Sequence, residues 1–204
     1  MKLYHQPRTR SARVRWMLGE LGLASQTEIQ EVNVFVGEGR KPEYLAIHPH
    51  GFVPALEDDG GVLLESSAIC LYLVDRYGDG KLAPTPGTFA RGKYYEWMVY
   101  IPATVDPCLE TIMFHTAFLP ESHRIPVLVE RAKKNWSKKI QPRLSSALER
   151  GPWLLGDEFT AADVILGSAL AWARVAGVLE DAPPIGAYME RITARPAFQE
   201  AYAA

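Results

Sequence analysis

Two short groups of residues carry types and spacing that could do chemistry. They are Val53-Pro54, inside GFVPALED, and Glu65-Ser66-Ser67, just after VLL. Proline has no backbone N–H, so within a sheet it is tolerated at a strand's first residue. With a cis Val53-Pro54 peptide, which proline alone tolerates cheaply, Pro54 opens its strand. Val53 then keeps an unpaired N–H and C=O facing outward. Such a pair can bind the backbone of an extended peptide as a short added strand. Ser66 opens a helix, whose first N–H groups and partial positive charge suit a carboxylate. Glu65 beside it suits an ammonium group. A carboxylate and an ammonium on one carbon make an amino-acid head. The stretch therefore suits a small peptide, with its charged head at Glu65 and Ser66 and its middle along Val53. The same spacing also fits a plain hairpin with a serine helix cap and a surface glutamate.

These residues need a scaffold, and the chain's periodicity supplies one. KLYHQ reads as a strand. TRSARVRWMLGELGL follows with Val14, Leu18 and Leu21 on one helical face and Gly22 as a helix end. TEIQEVNV alternates as a strand, and PEYLA predicts a short helix. VPALED and VLLE are strands joined by Asp58-Asp59-Gly60-Gly61, a hairpin signal. SAICLYLVDRY is a helix. Beyond the Gly- and Pro-rich stretch 78–86 the pattern is helical throughout, with Pro102 and Pro107 bending a long helix over 87–115. FTAADV carries a capping box, Thr160 with Asp163. The fold class expected is α/β plus all-α, divided as 1–77, a linker over 78–86, and an all-helical domain over 87–204.

Composition narrows the function. The 204 residues are 48% hydrophobic and 23% charged, with net charge -2. That balance offers no bulk attraction for nucleic acid or an anionic membrane. Arg8, Arg10, Arg13 and Arg15 cluster, but on different sides of a helix. No apolar run approaches the roughly 20 residues that span a bilayer, and MKLYHQPRTRS lacks a signal peptide's apolar core. Cys70 and Cys108, far apart, form no disulfide framework and suggest a reducing cytoplasm. His48 and His50 flank Pro49 without a third ligand nearby, so no metal is expected. No Cys-x-x-Cys follows the first strand, which argues against a dithiol oxidoreductase.

GFVPALEDDGGVLLESSAICLYL resembles the glutathione-binding segment of cytosolic glutathione transferases. GRKPEYLAIHPHG resembles the loop before that family's cis-proline, GDEFTAADVILGSAL its C-terminal capping segment, and RPAFQEAY its closing helix. The resemblance implies a thioredoxin-like N-terminal domain, an all-helical C-terminal domain and a homodimer in the cytoplasm. It implies glutathione as co-substrate, small-molecule electrophiles as partners, and no metal. Glu65 and Ser66 then hold the γ-glutamyl group, while Val53, between Phe52 and Pro54, meets the cysteinyl backbone. Arg40 or Lys41 meets the glycyl carboxylate.

The implied reaction needs a thiolate, yet a free thiol near pKa ~8.5 is only about 3% ionised at pH 7. In the family a Tyr, Ser or Cys hydroxyl or thiol does the activating. Aligned through KLY and RVR, Thr9 falls where serine-type classes place their hydroxyl, with Ser11 next. Arg10 falls at the cysteine position of bacterial beta-type members, which excludes a cysteine mechanism there and leaves Arg10 either to add positive potential beside the thiolate or to meet an acidic co-substrate. Thr9 and Ser11 are equally good helix N-caps. For the electrophile, EWMVYIPATVDPCLE puts Val99, Ala103, Asp106 and Glu110 on one helical face by spacing. By resemblance Asp106 replaces a histidine near the thiol, and Trp172 matches a pocket-bordering tryptophan. Other glutathione-dependent reactions, such as isomerisation, peroxide reduction or dehalogenation, and a non-catalytic adaptor role share these features.

Overall fold

The computed structural model describes residues 1–179 and 182–203, which divide into two units. The first runs from Met1 to Leu82 and takes in the chain from Thr193 onward. Its strands are β1 (Lys2–His5), β2 (Glu28–Glu31), β3 (Ala55–Asp58) and β4 (Gly61–Leu64). Its helices are α1 (Ser11–Glu20), α2 (Pro42–Leu45) and α3 (Ser66–Tyr77). The sheet order is β2-β1-β3-β4, with β2 parallel to β1 and the other pairs antiparallel. This is the thioredoxin-like arrangement. Alternation along β1 puts Leu3 and His5 on one face, both fully buried, and Tyr4 on the other, packed with Val32, Tyr44 and Ala55. The hairpin turn places Asp59 and Gly60 at φ 50° and 77°, the left-handed pair that a two-residue loop needs to match strand twist. Gly22 (φ 70°) ends α1, and the Leu23 N–H reaches back to Leu18 O at 2.8 Å.

The helix α10 (Pro196–Tyr202) packs on α1, so the first unit reclaims the end of a stretch that composition alone assigns to the helical domain. The reason is a fork. Arg195 Nε and Nη2 donate to Glu20 Oε1 and Oε2 at 2.7 and 2.6 Å, and Trp16 Nε1 adds a third donor at 2.8 Å. The Phe198 ring stands edge-on to Trp16 at 5.0 Å. Arg195→Ala should cost about 2 kcal/mol, because the largely buried Glu20 carboxylate loses its bidentate partner. Urea unfolding measures the loss, and faster amide exchange confined to α10 would locate it.

The second unit, Ala83–Ile192, is helical: α4 (Phe89–Tyr100), α5 (Asp106–Met113), α6 (Pro126–Asn135), α7 (Gln141–Leu148), α8 (Ala161–Val175) and α9 (Pro183–Thr193). The proline bend takes the form of a π-helical turn over Ile101–Val105, closed by the Asp106 N–H on Ile101 O. Pro102 cannot donate, and a wider turn accommodates the missing bond. Thr160 and Asp163 form the expected capping box at α8. Among the described residues no helix is long and apolar enough to cross a membrane, and no cluster of His, Cys, Asp and Glu could hold a metal.

Candidate functional site

The segments expected from sequence to grip a peptide both lie in the first unit. The Val53-Pro54 bond is cis, and β3 begins at the next residue. Among the described residues nothing pairs with the backbone N–H or C=O of Val53. The preceding carbonyl is occupied: Tyr44 Oη donates to Phe52 O at 2.6 Å, which anchors the loop, and Phe52 is 58% exposed.

A contact that sequence reading missed joins the two halves of the grip. Gly39 and Gly51 meet backbone to backbone. A Cβ on Gly39 would stand 2.1 Å from Gly51 O, and one on Gly51 2.3 Å from Gly39 O. Only two glycines permit this approach, and it fixes the loop bearing Arg40 and Lys41 against the loop that ends in Val53. The signal was present as a glycine next to each expected binding residue. Their sequence separation hid the pairing. Both cations are exposed, and Lys41 Nζ lies 3.8 Å from Glu38.

The charged-head end lies at α3. Glu65 takes φ 68° and ψ 113°, a left-handed conformation that turns the chain sharply into the helix. Among the described residues the N–H groups of Ser66, Ser67 and Ala68 meet no acceptor, while Ile69 N–H bonds to Glu65 O at 2.9 Å. Three open donors at a twelve-residue helix's positive end suit an anion, and Glu65 is the residue that leads into them. Ser66 is buried, and its Oγ accepts from Arg13 Nη1 at 3.5 Å. Burial lowers the His48 pKa, the neighbouring His50 lowers it further, and the Glu65 charge offsets part of this.

The β1–α1 turn carries the hydroxyls. Ser11 is fully buried, and its Oγ lies 2.7 Å from His5 Nδ1, 2.8 Å from Thr9 Oγ1 and 3.0 Å from Gln6 O. Thr9 is half-exposed. Its Oγ1 accepts the Ser11 N–H at 3.2 Å and donates to Gln6 O at 2.7 Å. So Thr9 does act on the helix start, but with its lone pair. Its hydrogen is engaged by Gln6 O, a neutral acceptor at the turn. Arg10 precedes α1 with φ -64° and makes no side-chain cap. Tyr4 is committed to Glu57 at 2.7 Å. His5 was not singled out from sequence, where it is one residue of the KLYHQ strand.

Residues 3–82 match the family described as glutathione S-transferase, N-terminal domain, and residues 127–191 match glutathione S-transferase, C-terminal domain. Glutathione S-transferase 3 of Zea mays is 33% identical over 211 residues, spanning 100% of this chain and 94% of that protein. The chain belongs to the glutathione S-transferase family. Among solved structures it resembles BphK, a bacterial glutathione transferase in a ternary complex, at TM-score 0.87 and 28% identity over 100% of this chain and 98% of that one. It also resembles a glutathione transferase homologue from Sulfitobacter with bound glutathione, at TM-score 0.84 and 27% identity over 98% and 95% of the two chains.

In the second unit of this transferase the four residues expected at the electrophile pocket do not share one environment. Val99 is 62% exposed and Ala103 is exposed, Asp106 is buried at 5%, and Trp172 is half-buried on α8. The π-helical turn is the cause. It inserts an extra residue per turn between Val99 and Asp106, so 3.6-residue spacing no longer puts them on one face. Ala103 lines a groove of 680 Å³ with Thr104, Pro107 and Cys108 on one wall and Arg131, Lys134 and Lys138 on the other. Both cysteines are buried. Burial pushes the Cys70 thiol up to about 12 and raises that of Cys108.

Proposed function

We propose that this transferase ionises the thiol of bound glutathione and joins the sulfur to small electrophiles. The observation that carries the reading is the pairing of an open Val53 backbone with three open N–H groups and a carboxylate at the start of α3. Those features match a γ-glutamyl tripeptide chemically: an ammonium for Glu65, a carboxylate for the Ser66–Ala68 N–H groups, and a cysteinyl amide for Val53. Arg40 and Lys41 take the glycyl carboxylate. The bound glutathione of the Sulfitobacter homologue supports the ligand.

Thr9 is the activating hydroxyl and Ser11 stands behind it. Ser11 Oγ is enclosed, whereas Thr9 is the more exposed of the two and can turn its hydrogen from Gln6 O to a thiolate. A neutral hydrogen bond is exchanged for one to a charge, worth about 1.5–3 kcal/mol, or roughly 1–2 units of thiol pKa. The thiol proton leaves to solvent, the electron pair on sulfur attacks the electrophilic atom, and the leaving group or the second half of a broken π bond takes up the charge. Neither cysteine of the chain competes as nucleophile, since a thiol pushed up in pKa is almost wholly protonated at neutral pH. Val99, Ala103 and Trp172 meet the electrophile, and buried Asp106 shapes the helix behind them. The working form is a homodimer, which light scattering tests.

Isothermal calorimetry and the ultraviolet band of the bound thiolate test the reading. Glutathione should bind, and Thr9→Ala should raise the bound thiol's pKa by about 1–2 units while changing affinity for an S-methyl analogue by less than about threefold. No heat with glutathione, or a full band in Thr9→Ala and none in Ser11→Ala, rejects it. Glu65→Ala should weaken glutathione binding about 10- to 100-fold, as expected for losing a charge-assisted bond to the ammonium.

A further inference from the structure

His5 closes β1 on the Leu3 face and is fully buried. Its Nδ1 contacts Ser11 Oγ, and among the described residues nothing meets Nε2. A buried N–H without an acceptor is rarer and costlier than a buried lone pair without a donor. The ring proton is therefore assigned to Nδ1, which donates to Ser11 Oγ. That oxygen also accepts the Gln6 N–H at 3.1 Å. With its lone pairs engaged, Ser11 must offer its hydrogen, and Thr9 Oγ1 is the closer of its two acceptors, at 2.8 Å against 3.0 Å for Gln6 O. Thr9 Oγ1, accepting from both the Ser11 N–H and the Ser11 hydroxyl, is left to donate. The bonds run one way: imidazole to Ser11, Ser11 to Thr9, and Thr9 to Gln6 O at 2.7 Å, the acceptor it exchanges for a bound sulfur.

We propose that His5 is a positioning residue that sets the direction of the Ser11–Thr9 hydroxyl chain, so that Thr9 presents a hydrogen to the glutathione sulfur. The proposal rests on the reading of Thr9 as the activating hydroxyl. Donation into each hydroxyl polarises the next, which makes the terminal O–H a stronger donor. Were the imidazole reversed or absent, Ser11 could accept from Thr9 instead, and Thr9 would turn a lone pair toward the thiolate. The imidazole takes no proton in this scheme. Burial, with the positive charge of Arg15 on α1, lowers its pKa to about 4, and Glu31 stands opposite it in the β1–β2 register. The ring stays neutral across the range in which the thiol titrates.

The test compares wild type, His5→Leu, His5→Asn and Thr9→Ala by titrating the thiolate band of bound glutathione, with S-methylglutathione calorimetry alongside. Asn can place an amide N–H where Nδ1 stands. His5→Leu should raise the thiol pKa by about half a unit and His5→Asn should restore it, with S-methylglutathione affinity within about twofold in both His5 variants. A purely structural role would lower stability without moving the thiol pKa. If both His5 variants keep the wild-type pKa while Thr9→Ala raises it, the positioning role is overturned and the Thr9 reading stands. If Thr9→Ala leaves the pKa unchanged, both fall. Should His5→Leu not fold, His5→Gln replaces it, since its amide reaches the Nε2 position. Equal thiol pKa values in the Asn and Gln variants then overturn the proposal.

Discussion

Asp163→Ala should destabilise the protein by about 3–5 kcal/mol at neutral pH, a large part of the roughly 5–15 kcal/mol that folded domains possess. The carboxylate is fully buried at the head of α8 and collects four donors. Oδ1 accepts from Leu154 N at 2.8 Å and Tyr188 Oη at 3.1 Å, while Oδ2 accepts from Thr160 N at 2.9 Å and Thr160 Oγ1 at 3.2 Å. Alanine takes the acceptor from Leu154 N and the two Thr160 donors, each at about 1–3 kcal/mol before relaxation, while Tyr188 Oη keeps the backbone oxygen of residue 163 at 3.2 Å. The pH dependence has a definite sign. Burial raises the carboxyl's pKa to about 6 from 3.8, and the four donors only partly oppose it. A group whose folded pKa exceeds its unfolded value takes up protons on folding between the two. Its contribution is full below about pH 4 and is lost as pH rises through about 6. The penalty of Asp163→Ala should therefore be larger at pH 5 than at pH 7.5. Urea unfolding at both values measures it, and a penalty that grows with pH would show that the donors outweigh burial.

Gly51→Ala should both unfold more easily and lose glutathione. Its Cβ would lie 2.3 Å from Gly39 O and 2.9 Å from Gly39 C, backbone atoms that no rotamer change can move aside. Gly51 also has φ 67°, which an L side chain adopts only with strain. Overpacking and strain together amount to about 2–4 kcal/mol. Relief comes by parting the two loops, which carries Val53 away from Arg40 and Lys41. Glutathione affinity should then fall at least about tenfold. Gly60→Ala is the matched control. Its φ is 77° but nothing lies within 4 Å of the added Cβ, so it should cost about 1 kcal/mol and leave affinity intact. Equal glutathione affinity in Gly51→Ala and Gly60→Ala would sink the coupling of the loops.

Much of this protein is written in its local sequence. The strand–helix order, the Asp59-Gly60 turn, the Thr160–Asp163 box and the segment around Val53-Pro54 and Glu65-Ser66 rest on short-range rules. Proline geometry, two-residue turns and helix ends act over a few residues, so one dimension suffices to read them. Three features needed the folded chain. The Gly39–Gly51 contact joins residues that only loop packing makes neighbours. The His5–Ser11–Thr9 chain depends on how deeply a strand end lies beneath a helix start, which alternation alone does not set. The different burial of Val99 and Asp106 follows from a π-helical turn at Pro102 that changes the residues per turn, and periodicity arguments assume that number is constant. Helix and turn formation is a local equilibrium legible from residue types. Which polar groups end up without water, and which backbones touch, is decided only when distant segments pack.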